Sequence, residues 1–188
     1  MYGKGAAVAE DSRNILEWLK VALDFENEGL LFYTKAASES SNVLSRRLFR
    51  TLAGQEIDHA KKIEEIYGLV EGGKELPPPE KLKKIGAHVD VEKDIEEFFG
   101  ATDRESLRKD IGNVEAMEVA LEIEKKSFNL YSERLKDATN ASEKGFLKAL
   151  RDEEKKHIDA LDNVYYYLTD PEMWFASDES RVWNWMGT

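Results

Sequence analysis

The chain has 188 residues, 35% of them charged, with a formal net charge of −11 and a pI near 4.9. That length suits one domain with a sizeable core, while the acidity argues against nucleic acid and against an anionic membrane surface, both of which call for basic patches. The absence of cysteine excludes disulfides, a thiolate nucleophile, a zinc finger, an iron–sulfur cluster and any thiolate-ligated iron site. The opening MYGKGAAVAEDS has no apolar signal core, and no run approaches the roughly 20 apolar residues of a membrane helix. A soluble, cytoplasmic protein is expected.

Apolar residues recur at helical spacing through SRNILEWLKVALDFENEGLLFYTKAA, with Ser12 as the predicted cap. A second helix is expected from about Asn42 to Val70, opened by Ser40 and Ser41 and closed by Gly72 and Gly73. The three prolines of ELPPPEKL mark a break. Residues 81 to 112 read as one or two short helices, VEKDIEEFFG being the clearest. Further long helices are expected from about Val114 to Ala138 and from about Ser142 to Leu168, the last stopped near Pro171. Strand signals are almost absent, so the fold class is all-α. Short links make each pair of long helices an antiparallel hairpin. The connection over about 71–112 is long enough to travel back along a bundle and leave the second and third long helices parallel. The expected domain is a four-helix bundle over 1–170, followed by a Trp-rich tail over 171–188.

The two hairpins repeat without gaps. Residues 22–33, ALDFENEGLLFY, fall on 120–131, ALEIEKKSFNLY, and the same offset of 98 carries Glu56 to Glu154 (154 − 56), His59 to His157, Glu26 to Glu124 and Tyr33 to Tyr131. Each half thus holds a Glu, a Tyr seven residues later, and Glu-x-x-His beginning thirty residues after the first Glu. An isolated Glu-x-x-His is weak on so acidic a chain. The shared register is not, because packing alone would be served by leucine and alanine, and buried carboxylates are costly unless paired or bound to metal.

Residues three apart on a helix leave the same face, so each Glu-x-x-His offers a carboxylate and an imidazole to one ion. A Glu from each of two helices plus Glu-x-x-His from each of the other two is the inward-facing ligand set of di-iron and di-manganese carboxylate bundles. Glu56 and Glu154 are expected to bridge two metals, with Glu26, Glu124, His59 and His157 at the ends. Hard oxygen donors with one imidazole per ion suit iron or manganese, with zinc a possible substitute. Open positions would admit peroxide or dioxygen.

The blocks FENEGLLFY…QEIDHAKK and IEKKSFNLY…EEKKHIDA resemble the rubrerythrin branch of the ferritin-like superfamily, over roughly residues 12 to 168. The resemblance implies a ferritin-like bundle with two iron ions, often a homodimer, that reduces hydrogen peroxide with electrons from a redox protein. Without cysteine there is no rubredoxin domain, so the donor would be a separate protein such as a rubredoxin. Family members also place a carboxylate one turn after the third-helix Glu, toward which iron moves on oxidation; here that position is Ser127. The alternative reading is a ferritin-like ferroxidase that stores iron.

Metal-bound histidines usually give their other N–H to an acceptor. Gln55 and Glu153, each just before a bridging Glu, either reach the histidine of the opposite half or face solvent. Tyr33 and Tyr131 lie two turns from Glu26 and Glu124 on the same faces, either donating to ligand carboxylates or serving as core. His88 lacks the preceding Glu and is read as a loop histidine. Trp174, Trp183 and Trp185 in the tail are expected to pack on the bundle or on a second subunit.

Overall fold

In the computed structural model, residues 3–82, 85, 90–101 and 114–176 are described, with side chains from residue 12 onward. Among these residues there is no strand. Four long helices, α1 (Gly3–Glu39), α2 (Val43–Glu71), α5 (Val114–Asp137) and α6 (Ala141–Thr169), form the bundle, and α3 (Pro79–Leu82) and α4 (Val91–Ala101) lie in the crossover.

The helix ends follow from local chemistry. Asn42, not Ser40 or Ser41, caps α2: its side chain accepts from the Ser45 amide at 2.7 Å, while the Ser40 hydroxyl bonds back to the Ala36 carbonyl. Asn140 caps α6 in the same way, accepting from the Ser142 amide at 2.8 Å. Ser12 does not start α1, which already runs from Gly3, with no proline among the residues between them. Gly73, at φ 68, ends α2 in a conformation that side chains rarely adopt. Pro79 opens α3, where its missing N–H costs nothing.

Buried positions step along each helix by three and four: Ile15, Leu19, Ala22, Glu26, Gly29, Tyr33 on α1; Leu48, Leu52, Glu56, His59, Ile63, Ile66 on α2. On α5 the series is Met117, Ala120, Glu124, Ser127, Tyr131, and on α6 it is Leu147, Leu150, Glu154, His157, Leu161, Val164. A seam of this spacing lets helices pack side by side, as in four-helix bundles. The apolar part divides into two clusters, one with Tyr33, Phe49, Leu52, Leu121 and Leu161, the other with Leu19, Ile63, Tyr131, Leu147 and Leu150. Each fully buried leucine or phenylalanine there contributes about 1.5–3 kcal/mol. The glutamates and histidines of the repeat lie at the seam positions between the clusters, in a layer that both keep dry.

Chain direction can be read from contacts across the bundle. Tyr33 bonds Glu124 and Tyr131 bonds Glu26, so α1 and α5 are antiparallel. Both hairpins being antiparallel, α2 and α5 run parallel, and the crossover must travel the length of the bundle. Asp94 of α4, accepting from Arg47 at 3.0 and 2.7 Å and from Thr51 at 2.7 Å, pins that crossover to α2. Pro79 presses α3 onto α6 at Gly145, where an added Cβ would lie 3.0 Å from the proline ring. Trp174, 5% exposed, packs on Phe99, Tyr167 and Phe175 and donates its indole N–H to Asn163 at 2.8 Å. His88, Trp183 and Trp185 lie outside the described residues.

Candidate metal centre

The six residues of the repeat meet in the polar layer. Glu26 (2% exposed), Glu56 (3%), His59 (2%), Glu124 (1%), Glu154 (1%) and His157 (0%) form two overlapping groups. One comprises Glu26, Glu56, His59 and Glu154, the other Glu56, Glu124, Glu154 and His157; within each, one potential ligand atom per residue lies within 4.8 Å of the others. Glu56 and Glu154 belong to both, as bridging carboxylates must. The imidazoles stand nearly parallel, ring centroids 5.4 Å apart. Nδ1 of His59 faces Glu26 at 3.0 Å, Glu154 at 3.4 Å and Glu56 at 3.6 Å. Nδ1 of His157 faces Glu124 at 3.2 Å, Glu154 at 3.4 Å and Glu56 at 3.6 Å.

Around this set the hairpins exchange hydrogen bonds. Tyr33 of the first donates its hydroxyl to Glu124 Oε1 of the second, and Tyr131 of the second donates to Glu26 Oε1 of the first. Each terminal carboxylate therefore spends one oxygen on a phenol and turns the other toward a histidine. Gln55 Oε1 lies within hydrogen-bond distance of His157 Nε2. Glu153 does not do the same for His59. It is half-buried, and its carboxylate pairs with Lys156 at 3.0 Å, one turn along its own helix. Ser127 is buried one turn after Glu124, at 5% exposure, and supplies no carboxylate.

Gly29 went unremarked in the sequence, although the offset of 98 pairs it with Ser127 (127 − 98). A Cβ at Gly29 would lie 3.4 Å from the carboxyl carbon of Glu56. Glu56 thus rests against bare backbone of α1, and any side chain longer than alanine would push it aside. The repeat is the signal that exposes this position, since both members of the pair lack the carboxylate. Tyr67 and Tyr165, also matched in the repeat, lie outside the layer on Glu71 and Glu118.

The electrostatics follow from charge without counter-charge. Among the described residues no lysine or arginine pairs with any of the four carboxylates; their ion-pair partners are the two histidines. Burial, opposed by His157 and reinforced by Glu154, pushes Glu124 up to about 8. Glu56 is raised well above the usual carboxylate range by burial and by the charge of Glu26. Glu154 moves the other way: burial opposes ionisation, but the facing Glu124, His157 and His59 hold it low. Burial works against protonating His59 and His157, yet Glu26 and Glu124 respectively, with Glu154, hold both well above the ordinary value. Tyr33 and Tyr131 are raised, first by burial and then by Glu124 and Glu26, so both stay protonated and donate.

These residues fit a pair of divalent cations. Oε1 of Glu154 is buried with no hydrogen-bond partner, and both Nδ1 atoms aim into the carboxylates. Carboxylates so buried are tolerated on a metal or when protonated, and are otherwise costly by several kcal/mol each. Four carboxylates balance the charge of two divalent ions. The rubrerythrin family model matches residues 17–165, the span that holds every ligand. The chain belongs to the rubrerythrin family. No curated protein and no solved structure matches it. That family is one of ferritin-like di-iron proteins, and the buried carboxylate and histidine groups of this chain are of a kind that could hold metal. No helix among the described residues is long and apolar enough to cross a membrane.

Proposed function

We propose that this rubrerythrin-family protein is an oxidoreductase that reduces hydrogen peroxide, or dioxygen, with electrons delivered by a separate redox protein in the cytoplasm. Glu26, Glu56, His59 and Glu154 would hold one ion, and Glu56, Glu124, Glu154 and His157 the other. When bound, two iron ions would supply the two electrons of H2O2 + 2 H+ + 2 e− → 2 H2O, and the donor would restore them. The remaining work belongs to the chain. The apolar clusters above and below the layer exclude bulk water, which strengthens every charge interaction within it. The phenols of Tyr33 and Tyr131 hold Glu124 and Glu26 in place through opposite hairpins, and as protonated hydroxyls bonded to the layer they are placed to replace protons consumed there.

The observation that carries this reading is a buried set of carboxylates and histidines in which Glu56 and Glu154 belong to both groups and the two end carboxylates each accept from a phenol. The test uses iron-loaded, chemically reduced protein mixed with peroxide without oxygen. The expected result is two irons per chain and one peroxide consumed per two irons oxidised, with turnover when reduced rubredoxin is added. Failure to bind two irons would refute the site. Two bound irons that ignore peroxide, in a large shell accumulating iron far beyond two per chain, would establish the storage reading instead.

A further inference from the structure

We infer that the two metal positions are inequivalent and that Gln55 makes the one at His157 fill first. The inference rests on the two-metal reading above and adds an order of occupation to it.

The repeat matches most of the site. Glu56 and Glu154 serve both positions, and the end carboxylates Glu26 and Glu124 each accept from one phenol. The Gly29 and Ser127 pair brings neither side a carboxylate. The outer nitrogens of the histidines are not matched. An amide oxygen only accepts, so the contact between His157 Nε2 and Gln55 Oε1 keeps a hydrogen on Nε2 and makes Nδ1, which faces Glu56, Glu124 and Glu154, the nitrogen that gives up its proton to an ion. His157 therefore needs neither a tautomer change nor a ring rotation to take an ion.

In the other half the position equivalent to Gln55 is Glu153, and Lys156 holds its carboxylate. Among the described residues His59 Nε2 has no hydrogen-bond partner, so the ring's polar contacts are the Nδ1 ones that a metal would replace. Outer-shell partners of this kind are worth roughly 10–100-fold in metal affinity. The two ions should accordingly bind in resolved steps, the tighter at His157. Gln55 is a positioning residue, acting on the metal through His157.

Cobalt(II) reports this without turnover, because its visible bands follow ligand number and geometry. Metal-free protein titrated with cobalt(II), with bound ion counted by equilibrium dialysis, should take two ions in steps about 10-fold or more apart. His157→Ala should remove the tight step and His59→Ala the weak one. Gln55→Leu should still bind two ions but bring the steps together, and Gln55→Glu, which restores an acceptor, should separate them again. Circular dichroism would show whether Gln55→Leu keeps its helices; the two histidine variants test the order without it. Two ions of indistinguishable affinity in the unaltered protein, loss of the tight step in His59→Ala, or unchanged steps in a folded Gln55→Leu would each overturn the inference and leave the two-metal site standing. Fewer than two ions in the unaltered protein would instead overturn the site itself.

Discussion

Raising the pH from 6 to 8 should destabilise the metal-free protein, although an acidic chain with three histidines changes its net charge little over that range. The cause is the buried layer. Glu124 holds its proton up to about 8 in the folded state, against an ordinary 4.5. Between those values the folded protein binds more protons than the unfolded one, so stability falls as pH rises and levels off above about pH 8. Glu56, also raised, acts in the same direction. The raised histidines stabilise fully below their ordinary value of 6.5 and lose that contribution as pH climbs. Glu154, held low, has its effect only in acid, below the ordinary carboxylate range, and leaves this window untouched. Glu124 alone, at about 1.4 kcal/mol per pH unit, removes roughly 2–3 kcal/mol between pH 6 and 8. For a chain of this size that lowers Tm by roughly 5–10 °C. The assay is thermal unfolding followed by circular dichroism after chelation, at pH 6, 7 and 8, beside Glu124→Gln, which cannot ionise and should show a shallower slope. Metal-loaded protein should trend the opposite way, since ion binding requires these protons to leave. A metal-free Tm that is equal or higher at pH 8, or a slope unchanged in Glu124→Gln, would refute the reasoning.

Three further outcomes are expected. His59→Ala and His157→Ala should each lose most of one iron per chain by elemental analysis, whereas His88→Ala should retain both; equal losses in all three would mean the histidines have been misread. Because Ser127 offers no charge to an iron that gains positive charge on oxidation, iron should shift little between oxidised and reduced crystals, and Ser127→Glu, on the same face as Glu124, should draw it toward α5. A shift of about an ångström or more in the unaltered protein, many times the tolerance of a ligand bond, would remove Ser127 as the explanation. Gly145→Val should cost about 1–3 kcal/mol in urea unfolding by driving a branched side chain into Pro79, while leaving metal content unchanged.

The buried cluster of candidate ligands was legible in the sequence because two constraints overlap on the same residues. A seam position must face inward, and a carboxylate or imidazole that faces inward needs a partner; Glu26, Glu56, His59, Glu124, Glu154 and His157 satisfy both in one register. Helix number and the hairpin-and-crossover topology follow equally from spacing and link length, which are properties of the chain itself. What needed the tertiary structure is any choice between competing partners at similar distance along the chain. Asn42 rather than Ser40 caps α2 because Ser40 finds the Ala36 carbonyl first. Gln55 and Glu153 hold equivalent places, yet Gln55 goes across the bundle to His157 while Lys156, one turn away, takes Glu153. Gly29 carries no side chain to announce a role, and only the approach of Glu56 to its backbone gives it one. The reciprocal bonds of Tyr33 and Tyr131 likewise depend on α1 and α5 lying antiparallel, because each phenol, two turns from the glutamate on its own helix, reaches instead the one on the other.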